Sequence, residues 1–266
     1  MIGRIWAIAR NTFREAVRDR VLYNLVIFAL LLIGGALVIG QVSVDVERQF
    51  LINLGLTGIS LFGLAIAVLV GITLVSKEMD RRTLYTVLAA RPVSRWEFLA
   101  GKWLGLTGTL TVNAALMAAG FFLALYWQAH AVVSMDVLAP VPLTAVLTAM
   151  YFIFLQFVLM TSLAMLFSTY SSPLMSSIFS VALFVIGSFG EDLRGLASVT
   201  QGAAHWLLEV VAWLTPNFAV LQIITQTAHG VGVSGQLIAI NTVYVLLYSL
   251  AAMSLAAVIF ERRDLK

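Results

Sequence analysis

The sequence predicts an all-α integral membrane fold: six transmembrane helices, an N-terminal interfacial amphipathic helix, and N- and C-termini both cytoplasmic. Three observations lead there. The 266-residue chain is 61% hydrophobic and only 11% charged, with a mean hydropathy of +0.98, whereas soluble domains carry roughly 25% charged residues. The apolar residues gather in runs close to the ~20 residues that a bilayer requires. The Lys and Arg residues sit at the ends of those runs, and all but Arg48 and Arg194 fall on one side of a six-span topology. An excess of basic residues marks the cytoplasmic side.

The elements run in order from the N-terminus. Residues 1–20 place Ile2, Ile5, Trp6, Ala9, Phe13, Ala16 and Val17 on one helical face, with Arg4, Asn11, Arg14, Glu15 and Arg18 opposite and Ile8 outside the apolar stripe. Such a helix suits the membrane interface. The first long apolar run begins only at Val21 and has no small-x-small cleavage site after it, so it reads as a retained span rather than a signal peptide. Span 1 is residues 21–40. Span 2 runs from about Phe50 to Val75, span 3 from about Trp103 to Trp127, and span 4 from about Leu143 to Phe167. A short turn leads into Pro173, which suits the first turn of a helix because its missing N–H needs no partner there. Span 5 reaches about Phe189 and span 6 covers about Leu237 to Phe260. Six tryptophans support these limits: Trp6, Trp96 and Trp103 fall near one boundary, and Trp127, Trp206 and Trp213 near the other.

Residues 190–236 hold a further apolar stretch, broken at Pro216. A seventh span would move the basic tail (Arg262, Arg263, Lys266) to the outside, and Glu209, Pro216 and Asn217 suit lipid poorly. Two short helices around Pro216, re-entrant or lying on the outer leaflet, are expected instead. The whole chain forms one transmembrane domain, with residues 1–20 as the interfacial helix, 76–102 as a cytoplasmic loop and 190–236 as the outer segment.

The chemistry that is missing narrows the function. There are no cysteines, which excludes disulfides, thiolate nucleophiles and Cys ligands. His130, His205 and His229 lack ligand spacing, and no metal is expected. Gly101-Lys102-Trp103 lacks the first glycine and the Ser or Thr of a phosphate loop. The chain therefore shows no ATPase site, no catalytic residues and no cofactor of its own. A net charge of +3 with the basic residues at span ends points to the lipid membrane rather than to nucleic acid. No span carries Asp, Glu, Lys, Arg or His near its middle; Asn53, Asn113, Gln156, Ser176, Ser180 and Asn241 are neutral and suit interhelical hydrogen bonds. An ion- or proton-coupled carrier or channel, the alternative function, usually needs buried ionisable groups there. Gly101, Gly105 and Gly108, with Gly34, Gly35, Gly40, Gly55, Gly58 and Gly63, allow close helix approach, within the chain or between two copies.

The stretch Ser76 to Gly105 stands apart, with six of the sixteen Lys and Arg residues. Helix is expected to continue from span 2 to about Ala90. Arg91-Pro92 should end it, because a residue before proline disfavours helix. Ser94 and Glu97 then form an S-x-x-E capping box, with Val93 and Phe98 placed for a hydrophobic staple. The result is a folded elbow feeding span 3.

These residues resemble the ABC-2 type permeases, the membrane subunits of a class of ATP-driven exporters. Glu78 with Arg82-Thr83-Leu84, then Arg91-Pro92-Val93-Ser94-Arg95, then Gly101-Lys102 look like that family's acidic residue, G-T-L step, P-[VL]-[ST]-R turn and G-K entry into the third span. Arg82 stands where the family often has glycine. Ala9 to Glu15 looks like the family's opening helix. The resemblance implies a permease without its own ATPase, in the cell (inner) membrane, paired with an ABC ATP-binding subunit that carries the ATP and with a second permease copy. It also implies that Glu78, Arg82, Thr83, Leu84, Arg91, Pro92, Val93, Ser94 and Arg95 form the contact that couples the permease to the ATPase. The sequence leaves the substrate, and the residues that bind it, open.

Overall fold

The computed structural model describes residues 2–40, 47–80, 94–131, 143–224, 226 and 232–262. Among these residues the fold is helical, with no strand. In chain order the helices are α1 (Ile2–Val17), α2 (Arg20–Gly40), α3 (Glu47–Asp80), α4 (Arg95–Ala131), α5 (Leu143–Tyr170), α6 (Pro173–Ser188), α7 (Gly190–Val199), α8 (Ala203–Leu214) and α9 (Gly235–Arg262), with a 3₁₀ turn at Ala219–Leu221 before α9.

Among the described residues, four helices are long and apolar enough to cross a membrane: α3 over Phe50–Thr73, α4 over Arg95–Trp127, α5 over Leu143–Tyr170 and α9 over Gly235–Glu261. The pair α6 and α7 passes as a fifth if a 60° bend between them is one broken span. α2 covers the first expected span, although its described apolar stretch, Leu25–Gly35, is shorter than the other four.

α5 and α3 form the centre of the bundle. Most of α5 is buried, from Ala145 through Thr169, as expected of a helix apolar on all sides. α9 packs along α5, α2 along α3, and α1 along α4. The outer faces of α4 and α9 expose Leu116, Leu123, Leu247 and Leu250, which water would not tolerate in such number but lipid does. Inside, Gln156 accepts a hydrogen bond from Ser60 Oγ at 3.1 Å, pairing α5 with α3, and Trp103 Nε1 donates to Ser162 Oγ at 2.8 Å, pairing α4 with α5.

Glycines set several of these pairings within the chain. A Cβ on Gly55 would strike the Phe121 ring, one on Gly58 the Leu32 side chain, and one on Gly63 the Phe157 ring. Gly34 and Gly35 have no such neighbour among the described residues.

α6 begins as Pro173 predicts: Ser172 caps it, its Oγ accepting from Met175 N–H at 3.4 Å. The segment beyond α6 is helical in pieces: α7 and α8 precede Pro216, and Ile224 and Gln226 are again helical after it. α7 starts after the bend at Phe189, and α8 starts after Gly202, whose φ of 76° lies in the left-handed region that glycine tolerates. Thr215 is extended before Pro216, which ends α8 because the proline ring disfavours helix at the preceding residue. The chain then returns as irregular backbone and the 3₁₀ turn. Pro216, Asn217 and Phe218 are buried, which suits irregular backbone in an apolar medium, since its polar groups must find partners in protein.

Candidate functional site

The elbow residues named from the sequence divide into two groups. Glu78 lies on the last turn of α3, which ends at Asp80. Arg82, Thr83, Leu84, Arg91, Pro92 and Val93 lie outside the described residues, and with them the expected helix from 81 to 90 and the Val93 staple. Ser94 and Arg95 open α4, and their contacts define a junction.

The capping box forms. Glu97 N–H donates to Ser94 Oγ at 3.2 Å, and Ser94 N–H donates to Glu97 Oε2 at 3.1 Å. Two N–H groups that the first turn leaves without intrahelical partners are thereby satisfied. Glu97 is only 3% exposed. Its carboxylate sits at the positive end of the helix dipole and 4.0 Å from the Arg4 guanidinium of α1.

Arg95 turns inward to α9. Its Nη1 donates to the carbonyls of Phe260 and Glu261, the latter at 2.8 Å. These carbonyls belong to the last turn of α9, where C=O groups lack intrahelical donors and a cation is favoured. The guanidinium also lies 5.4 Å from the Phe260 ring centroid, and Phe98 stacks on Phe260 with centroids 6.2 Å apart and 21° between planes. One turn further, Lys102 is 1% exposed, with its ammonium 5.7 Å from the Phe98 centroid. The Lys102 stem is buried beside Phe98, as long cationic side chains are near a span end.

α1 closes the junction from the other side. A Cβ on Gly105 would lie 2.5 Å from the Ala9 carbonyl oxygen, and one on Gly101 2.7 Å from Ile8 Cβ. The glycine pair is therefore the groove that receives α1. The packed edge of α1 is Ile5, Ile8, Ala9, Thr12, Phe13 and Ala16. Ile8, expected outside the apolar stripe, is part of this contact, and Thr12 is fully buried. Ile2 and Trp6 stay 84% and 69% exposed. The expected apolar face is thus split: one edge packs on α4 and the other is left free.

In the first half of α9, two tyrosines hold the segment around Pro216. Tyr248 Oη donates to the Leu214 carbonyl at 2.9 Å, and Asn217 N–H donates to Tyr244 Oη at 2.8 Å. The α6 end holds the same loop: Phe218 N–H donates to Gly187 O at 3.0 Å, and Gln222 Nε2 donates to Ser188 Oγ at 2.9 Å. His205 Nδ1, 2.7 Å from the Ala197 carbonyl, links α8 to α7. Among the described residues no cluster of His, Cys, Asp or Glu has the arrangement of a metal site.

Sequence reasoning missed the partners of Arg95 and the tyrosine pair. Arg95 and Phe260 stand 165 positions apart, and no local pattern links them. Tyr244 and Tyr248 are one helical turn apart, so they share a face, and that spacing was the one signal the sequence held.

A helical bundle with several helices long and apolar enough to cross a membrane, one of them opened by a capping box, defines a polytopic membrane protein. A family model described as ABC-2 family transporter protein matches residues 6–265, and the chain belongs to that family. It is a multi-pass membrane permease, a transport component of an ABC transporter. Permeases of this family generally work in a lipid membrane with an ATP-binding subunit. Comparison with curated proteins finds no match.

Proposed function

We propose that the chain is the membrane-spanning permease subunit of an ATP-driven exporter, with ATP held on a separate ATP-binding subunit. Two permease copies pair with two such subunits in the cell (inner) membrane. Six spans, α2, α3, α4, α5, α6 and α9, place both termini and the elbow in the cytoplasm. α1 lies in the inner interface, with Ile2 and Trp6 as the edge turned to lipid.

The observation that carries this reading is the elbow junction. α4 begins with both capping-box bonds made and is fastened to α1 and α9. A force applied to the loop before Ser94 therefore reaches three helices at once. Glu78, Arg82, Thr83, Leu84, Arg91, Pro92 and Val93 supply the surface that meets the ATP-binding subunit. Ser94 and Arg95 belong to the same coupling set by holding that surface to the bundle. ATP binding closes the partner and favours a different arrangement of the spans, as a ligand shifts a conformational equilibrium toward the state it binds better. The chain contributes no ATPase site, and its mid-span polar groups are neutral, so the energy enters through the elbow.

Arg91→Glu tests the docking surface without disturbing the Arg95 contacts. The variant should be recovered with far less of the cognate ATP-binding subunit on co-purification, while its own thermal unfolding is unchanged. Undiminished complex, or transport that persists without any ATP-binding subunit and collapses with an ion gradient, overturns the reading.

A further inference from the structure

α9 touches both the start of α4 and the segment around Pro216. At one end its last carbonyls are held by Arg95 of the elbow, and Phe260 is stacked on Phe98. Toward the other end, Tyr244 and Tyr248 hold backbone atoms on either side of Pro216. Tyr244 and Phe260 are about 24 Å apart along the axis at ~1.5 Å per residue. Between them the helix is continuous, with its backbone hydrogen bonds internal, so axial shifts and rotations pass along it with little loss. Side chains between the two ends pack on α5, which guides such a motion without fixing it at one point.

The two attachments are unlike ordinary side-chain packing. Arg95 bonds to successive backbone carbonyls, so it grips the end of the helix rather than one rotatable side chain. The tyrosines bond to Leu214 and Asn217, which flank the residue where α8 stops. Thr215 is extended and Pro216 has no N–H, so the loop there has no helical ladder of its own to resist displacement.

We infer that α9 is a tie rod: Arg95 at its inner end and the Tyr244/Tyr248 pair in its other half couple the position of the α4 start to the conformation of the outer segment 190–222. Arg95 is a positioning residue. It acts on the outer segment through α9, and not as a docking charge alone. That the elbow is what the ATP-binding subunit moves rests on the function proposed above; the linkage itself stands on the bonds made by Arg95 and the two tyrosines.

The test uses the permease alone, reconstituted in phosphatidylcholine vesicles. The chain has no cysteine, so a single spin label can be placed by Trp213→Cys on α8, where the side chain is 85% exposed. Leu123→Cys on α4, also exposed, serves as the control off the proposed path. Arg95→Ala should raise the mobile-to-immobile ratio of the label at 213 severalfold and leave the label at 123 unchanged. Tyr244→Phe with Tyr248→Phe should do the same. Adding Arg95→Ala to the tyrosine pair should give much less than its effect alone, because interacting sites are non-additive.

An unchanged spectrum at 213 in Arg95→Ala overturns the inference. So does equal loosening at 213 and 123, which is general destabilisation, and so do strictly additive effects. Should Arg95→Ala fail to insert, Arg95→Met, which keeps a long stem but has no N–H to give the two carbonyls, is measured by the same criteria. No ATP-binding subunit is present, so failure here leaves the Arg91→Glu docking test standing, and failure of that test leaves this one standing.

Discussion

Replacing Gly105 by alanine should lift α1 off α4. The added Cβ would sit 2.5 Å from the Ala9 carbonyl oxygen and 2.7 Å from Thr12 Cβ. The first of these is backbone and has no rotamer to escape into. Ordinary contact needs roughly 3.5 Å, so α1 must back away by about 1 Å. A gap of ~0.5–1 Å already forfeits a quarter to a half of each dispersion contact, and overpacking of this kind costs about 1–3 kcal/mol. The better helix propensity of alanine does not offset this, because α4 is helical whether α1 is docked or not. A 1–3 kcal/mol shift corresponds to a roughly 5- to 150-fold change in the open fraction. Thr12→Cys provides the assay. Thr12 is fully buried in the α1–α4 contact, and its hydroxyl has no hydrogen-bond partner among the described residues, so sulfur replaces it at small cost. In the detergent-solubilised Thr12→Cys chain, labelling by a small maleimide should speed up by that factor when Gly105→Ala is added. Gly108→Ala is the control, since its Cβ would meet Phe13 at an ordinary 3.6 Å. Equal labelling rates with and without Gly105→Ala, or equal acceleration by Gly108→Ala, would refute the reasoning.

Two other outcomes are expected from the contacts at either end of the bundle. Ser94→Ala removes the Oγ that accepts from Glu97 N–H and should lower stability by about 1 kcal/mol, read as a fall in thermal unfolding temperature that Ser94→Asp largely avoids. Gly187→Val should push the return loop away from the end of α6, because its Cβ would overlap the Pro216 carbonyl oxygen and the Phe218 ring. About 1–3 kcal/mol of overpacking should appear as faster hydrogen exchange of the Phe218 amide, which now donates to Gly187 O; unchanged exchange would show that this contact does not secure the loop.

The long spans were legible because length and apolarity are enough to identify them. α3, α4, α5 and α9 each contain the expected run and extend past it. The capping box was equally legible, since Ser94 and Glu97 meet through local geometry alone. The face of α1 was legible only in part: Ile5, Ala9, Phe13 and Ala16 pack as expected. Hydropathy favours Ile2 and Trp6, yet the structure buries Thr12 and uses Ile8. The groove over Gly101 and Gly105 selects a ridge by shape: small residues admit a close backbone, and a bulky indole does not fit. The pairing of Arg95 with the end of α9 depends on how distant spans are arranged, and the family resemblance that implied a coupling role for Arg95 carried no information about Phe260. Pro216 was recognised as a breaker, but a breaker ends the helix before it and leaves the conformation after it to tertiary contacts. Here Asn217, Phe218 and Gln222 find partners on α6 and α9.

The bend at Phe189 also has a consequence for the lipid. α6 has 16 residues and reaches about 24 Å, against about 30 Å of hydrocarbon in a typical bilayer. The exposed carboxylates Glu191 and Asp192 come immediately after it. In the six-span arrangement proposed above, the acyl layer beside this face is some 6 Å thinner than elsewhere, which keeps the carboxylates out of it. Any movement that straightens or deepens the bend changes that mismatch. The bilayer is thus an elastic element acting on the outer segment, and its stiffness and chain length set how readily the segment moves.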